Sequence, residues 1–116
     1  MKIFVDYKRT PGMIYSDPKE WTPIKTKQEF GTTMNNLLMS GKLPSSISFD
    51  YDLETEKAGL EALVDFVNIA IKLRFTLPKI YLHCSDRRLA IDFENELNQY
   101  TKKTNIPYNF EYTKLD

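Results

Sequence analysis

Two short runs, Ile3-Phe4-Val5 and Ile47-Ser48-Phe49, pass straight from β-branched and aromatic residues into carboxylates: Asp6 after the first, Asp50 and Asp52 after the second. In the first run the apolar residues are consecutive, which marks a strand buried on both faces and so a sheet that is covered above and below. The second has the content of a short strand whose end carries the two acids. In open α/β sheets ligands bind in the crevice outside the carboxyl ends of the strands, so acids placed there face the functional edge.

Reading on from Lys2-Ile3-Phe4-Val5-Asp6, residues Tyr7 to Trp21 include Pro11, Gly12, Ser16, Asp17 and Pro18, a density of turn formers that excludes a regular helix across the segment. Thr22-Pro23-Ile24-Lys25 predicts a brief strand, limited to an edge by Pro23. Thr26 and Glu29 form a capping-box pattern ahead of a helix with Phe30, Met34, Leu37 and Leu38 on one face, closed by Gly41. Thr55 is the expected cap of a second helix, whose stripe is Leu60, Leu63, Val64, Val67, Ala70 and Ile71. Lys79 to Cys84 reads as a strand. Ser85 or Asp86 then caps a helix carrying Leu89, Phe93, Leu97 and Tyr100, and Tyr108 to Tyr112 alternates like a last strand. The order β-β-α-β-α-β-α-β predicts a mostly parallel sheet with helices on both faces.

With 116 residues the chain reads as a single domain, 1–116, large enough for a core without disulfides or a structural metal. Cys84 is the only cysteine, so no internal disulfide is available, and a reducing, cytoplasmic location is expected. No signal peptide is expected, because Met1-Lys2 leads directly into a strand, and no apolar run approaches the length of a membrane span. Sixteen basic residues balance sixteen acidic ones, which removes the electrostatic case for strong non-specific nucleic-acid binding; Arg87-Arg88 and Lys102-Lys103 are the candidates for a local basic patch.

In a parallel sheet Asp6, Asp50 with Asp52, and His83 with Ser85 converge on one edge. Gathered carboxylates repel unless a cation or proton relieves them, so Asp6, Asp50 and Asp52 are candidate ligands for a hard, oxygen-coordinated ion, which in turn suits a phosphate-bearing ligand. The alternative for Asp50 and Asp52 is a turn or helix cap. His83, the only histidine, is a candidate proton-transfer group or a satisfied structural residue. Cys84 points to the opposite face and reads as core. Arg9 is placed to meet a phosphate or pair with a carboxylate, and Trp21 and Tyr51 are expected to wall the pocket.

Ile3-Phe4-Val5-Asp6 with Arg9 and Pro11, Trp21 and Thr26, Ser48-Phe49-Asp50-Tyr51-Asp52-Leu53, Gly59 and His83-Cys84-Ser85 together resemble the cyclic-phosphate processing receiver-like family over roughly residues 2 to 100. The resemblance implies a three-layer flavodoxin-like fold, a receiver variant with five strands in the order 2-1-3-4-5 and a reduced helix after the first. It implies action on cyclic phosphate ends of RNA or nucleotides, with Asp50 and His83 catalytic, Arg9, Ser85 and Tyr51 contacting substrate, and Mg2+ or Mn2+ held by Asp6, Asp50 and Asp52. Such domains are frequent in bacteria and phages. Tyr7 stands where the family has a second acid, Tyr51 where it has a histidine, and Asp86-Arg87 where it has an asparagine-containing turn. The alternative function is therefore a catalytically degenerate binding or inhibitor module, of a kind a phage would encode, that sequesters a ligand or docks on a host protein. A phospho-accepting receiver is disfavoured: its fifth-strand lysine would be Lys114, almost at the end of the sequence.

Overall fold

The computed structural model describes residues 1–115, and its element order is the expected one. Strands β1 (Lys2–Val5), β2 (Trp21–Ile24), β3 (Ser46–Phe49), β4 (Lys79–Cys84) and β5 (Phe110–Lys114) form one sheet in the order β2-β1-β3-β4-β5, with every pairing parallel. Helices α1 (Lys27–Met39), α2 (Ala58–Leu73) and α3 (Arg87–Thr104) make the crossovers. All three crossovers step in the same direction along the sheet, so right-handed connections place them on one face. There Ile3, Val5, Ile47, Phe49, Ile80 and Leu82 meet Phe30, Phe66, Phe93 and Leu97 in a single core. The ring of Phe49 lies 5.2 Å from Phe30 and 5.4 Å from Phe93, which links two helices through the central strand.

On the opposite face the covering layer is the segment between β1 and β2, reduced to two 3-10 turns, Pro11–Met13 and Pro18–Glu20. Pro11 and Pro18 each open their turn, where proline fits, and Pro18 would break any helix continued from the first turn. Tyr15 from this segment stacks on Trp21 at 4.4 Å and meets Phe4 edge-on at 6.2 Å, sealing the sheet with aromatic surface where a helix would otherwise pack. Expected helical cover on both faces is thus realised by helices on one face and by this short layer on the other. Trp21 belongs to the layer and does not wall the strand-end pocket.

The helix starts differ from expectation in one place. Thr26 caps α1 as read, its Oγ1 accepting from Glu29 N at 3.1 Å, and Glu54 accepts from Lys27 N. Thr26→Ala is expected to cost about 1 kcal/mol in chemical denaturation. Asp86 caps α3 by accepting from Arg88 N at 2.9 Å. At α2, however, the cap position is Lys57 and not Thr55. Lys57 adopts φ 63°, Asp52 Oδ1 accepts its N–H at 2.7 Å, and the Tyr51 carbonyl takes the N–H groups of Gly59 and Leu60. The free amides that open this helix are satisfied by the end of β3 itself, which no local side-chain pattern announces. β5 lies two residues later than its alternation suggested. The parity, and so the facing of Phe110 and Tyr112 toward the helices, is kept, while the Tyr108 hydroxyl lies 2.7 Å from both Glu94 and Asn98 on α3.

Of the two basic pairs, Arg88 folds back on Asp86 at 3.0 Å, and Lys102-Lys103 sit in the last turn of α3, where cations favour the helix dipole. Neither builds a basic stripe. No helix among the described residues is long and apolar enough to cross a membrane.

Candidate functional site at the strand ends

Sheet register sets the site. Val5, Phe49 and Leu82 are lateral neighbours, so the residues one step further on, Asp6, Asp50 and His83, emerge at one level on three adjacent strands. They share the face opposite the helices with Phe4, Ser48 and Tyr81, because strand side chains alternate. The Asp50 N–H donates to Val5 O at 2.8 Å, holding the two acidic ends together beyond the formal strands.

Asp6 is the hub. Its Oδ1 accepts from Lys8 N at 2.8 Å and Arg9 N at 2.7 Å, a local turn that ends β1, and its Oδ2 accepts from His83 Nε2 at 2.9 Å and Arg9 Nη1 at 3.3 Å. Burial acts to raise the Asp6 pKa, but the bonds from His83, Arg9 N and Lys8 N outweigh it and bring the value down to about 2. Burial also lowers the His83 pKa, against the opposing pull of Asp6. The pair is therefore a carboxylate and a neutral imidazole, with the proton on Nε2. Its Nδ1 is then an acceptor, and Ser48 donates to it at 2.7 Å. Tyr15, kept protonated by burial, donates in turn to Ser48 Oγ at 2.8 Å. Ser48 is small enough for the Phe4 and His83 rings on the flanking strands to stack above it, 4.7 Å apart and 1° from parallel.

This chain of bonds corrects the reading of His83. The residue is at its expected place, yet its side chain is 0% exposed and both ring nitrogens are committed, so it holds Asp6 and does not exchange protons with a bound ligand. A serine, a histidine and an aspartate are joined here, but Ser48 is buried too and no substrate reaches it. Tyr15 and Ser48 were not among the expected site residues. Tyr15 lies in a turn-rich loop and Ser48 inside a strand, and nothing in their local sequence links them to His83.

Arg9 Nη1 also donates to Asp50 Oδ2 at 3.3 Å, so one guanidinium nitrogen bridges the two carboxylates. Burial and the Asp6 charge raise the Asp50 pKa, Arg9 opposes them, and the result is about 7. The side chain of Asp50 is 18% exposed and that of Arg9 38%, and both face a cleft of about 240 Å³ that includes Tyr7, Lys8, Asp52 and Ser85. A larger groove of about 370 Å³ between α1 and α2, lined by Phe30, Met34 and Phe66, gathers no comparable constellation. Asp50, Arg9, Ser85 and Asp52 thus meet at the cleft as expected. Tyr51 reaches its wall from the core, where it is buried. Cys84 is likewise buried, with its thiol pKa pushed up by burial.

Strand order and parallel pairing agree with the comparison by family: the description "cyclic-phosphate processing receiver domain" matches residues 1–99. The chain belongs to that family. No curated protein matches it. In this receiver linked to cyclic-phosphate processing, the carboxyl ends of β1, β3 and β4 meet at the candidate site.

The metal ligand set expected for this receiver does not assemble. A carboxylate offers about four lone-pair sites, and Asp6 spends them on four protein donors. Asp52 uses Oδ1 to hold the Lys57 amide at the start of α2. Among the described residues, no three His, Cys, Asp or Glu side chains are grouped as metal ligands. The residues present do not fit a resident Mg2+ or Mn2+, which needs several oxygens at close range.

Proposed function

We propose that the cleft binds a cyclic phosphodiester, as at an RNA end or on a nucleotide, and opens it by hydrolysis. The observation that supports this is the Arg9–Asp50 pair, a phosphate-binding cation 3.3 Å from a carboxyl group that titrates at about 7 and faces the cleft. Arg9 Nε and Nη2 have no hydrogen-bond partner among the described residues and are free to hold phosphoryl oxygens, as a guanidinium does in paired fashion. Asp50, ionised in about half of molecules near neutral pH, takes a proton from water as the water oxygen bonds to phosphorus. The ring P–O bond breaks, and the proton passes from Asp50 to the leaving oxygen, giving a phosphomonoester. Asp6 and His83 hold Arg9 and set the charge that raises Asp50.

Turnover of 2′,3′-cyclic nucleotides and cyclic oligonucleotides is the test. Product should form with kcat/KM rising through a pKa near the Asp50 value of about 7, and Asp50→Asn should lose about 10²-fold or more. The same variant should be more stable than wild type above neutral pH. A group with a raised folded pKa stabilises below its unfolded pKa of 3.8, and that contribution is lost as pH rises to about 7; asparagine never pays it. Absence of product at stoichiometric protein rejects hydrolysis, and an active Asp50→Asn rejects Asp50 as its base.

A second reading, binding without turnover, is favoured by the sealing of His83, which takes the expected histidine out of proton transfer. In that case ligand binds, no product forms, and Asp50→Ala leaves activity in cells intact. The occupant would then be a sequestered phosphate-bearing ligand or a host protein.

A further inference from the structure

We propose that the Arg9 guanidinium is the resident cation of this acidic edge, taking the place of a divalent metal, so that the cleft works without one. This deepens the phosphodiester reading, but it is tested through metal occupancy and not through turnover.

Three observations carry it. Arg9 Nη1 lies 3.3 Å from Asp6 Oδ2 and 3.3 Å from Asp50 Oδ2, between the two carboxylates that an ion would have to bridge. The position is built and not accidental, because Asp6 Oδ1 holds the Lys8 and Arg9 amides, and this turn returns the arginine side chain over its own strand end. A buried carboxylate with four donors has no lone pair to give a metal, and displacing any donor would unpair a buried group. A guanidinium is a permanent, weakly hydrated cation with a planar fork of donors. Unlike Mg2+, which dehydrates reluctantly and demands octahedral oxygens, it is already in place when the ligand arrives. Its free Nε and Nη2 groups supply the charge that a metal would offer to a phosphate. Tyr7 stands exposed at the cleft beside this pair.

The experiment titrates Mn2+ into the purified protein, reading free Mn2+ by electron paramagnetic resonance and paramagnetic broadening of the amide signals around Asp6 and Asp50. Wild type and Arg9→Lys are expected to show no saturable binding at millimolar Mn2+. Arg9→Gln, which removes the charge and frees lone pairs on both carboxylates, is expected to bind saturably, at least about tenfold more tightly than wild type (a change of about 1.4 kcal/mol). Saturable binding by wild type with broadening at Asp50 overturns the proposal, and so does a folded Arg9→Gln protein that binds no better than wild type. Should Arg9→Gln fail to fold, the wild-type titration decides alone. None of these outcomes depends on hydrolysis, so failure of the phosphodiester reading is scored separately.

Discussion

Asp6→Ala is expected to lower the stability of the protein by about 3 kcal/mol or more, because several buried donors lose their acceptor at about 1–3 kcal/mol each. The substitution strands His83 Nε2 in a site where the imidazole is 0% exposed, and it frees the Lys8 and Arg9 amides that end β1. Arg9 is left with Asp50 alone. Asp6→Asn is no rescue, because the side-chain NH2 group would face donors on at least one side. Urea denaturation at neutral pH checks the magnitude. Acid denaturation checks the cause: the folded pKa of Asp6 is lowered from 3.8 to about 2, so its contribution is present above the unfolded value and is lost as pH falls toward about 2. At about 1.4 kcal/mol per unit, that window is worth roughly 2 kcal/mol. Wild type should lose it across the window and Asp6→Ala should not. An equal acid slope in both proteins would show that Asp6 is not the group responsible.

Gly59→Ala is expected to cost about 3 kcal/mol or more, at the upper end for overpacking, and to disturb the titration of Asp50. A Cβ placed there would stand 1.7 Å from the carbonyl oxygen of Asp50 and 2.7 Å from that of Tyr51. These are backbone atoms, so no rotamer change relieves the clash. The first turn of α2 must withdraw from β3, breaking the bond from Gly59 N to Tyr51 O at 2.9 Å, or the end of β3 must move and take Asp50 with it. Gly31 provides the control within the same fold, since a Cβ at that position meets nothing within 4 Å. Gly31→Ala should be neutral or slightly stabilising, because alanine is the better helix former. Thermal melts of both variants, with the pH dependence of the Asp50 carboxyl followed by NMR, separate the two positions. A Gly59→Ala protein as stable as wild type would mean that α2 does not press on β3 as described.

Much of the architecture was legible because it rests on short-range pattern. Buried strands, helical stripes and turn-rich joints each leave a local mark, and the handedness of parallel crossovers then restricts the topology. The acids at the ends of β1 and β3 were legible for the same reason, as polar residues that close apolar runs. The start of α2 was not, because its amides are held by the Tyr51 carbonyl through a close approach that only Gly59 allows. Nor was Tyr15, whose bond to Ser48 joins residues 33 apart in sequence. Trp21 was assigned to the pocket wall, but it opens β2 beside Lys2, at the opposite end of the parallel strands from Asp6.

The division between sequence and structure is sharpest at Asp6, Asp50 and His83. Their presence at strand ends follows from residue order alone, since apolar runs must stop where backbone leaves the core. What each side chain does there depends on its neighbours across the sheet. Register sets the three at one level, Ser48 makes room for the imidazole, and the turn after Asp6 brings Arg9 back between the carboxylates. Burial and hydrogen bonding then drive the two aspartates apart, one to about 2 and the other to about 7, and leave His83 neutral and sealed. Charge state and access depend on desolvation and on partners distant in the chain, and those exist only once the sheet has formed.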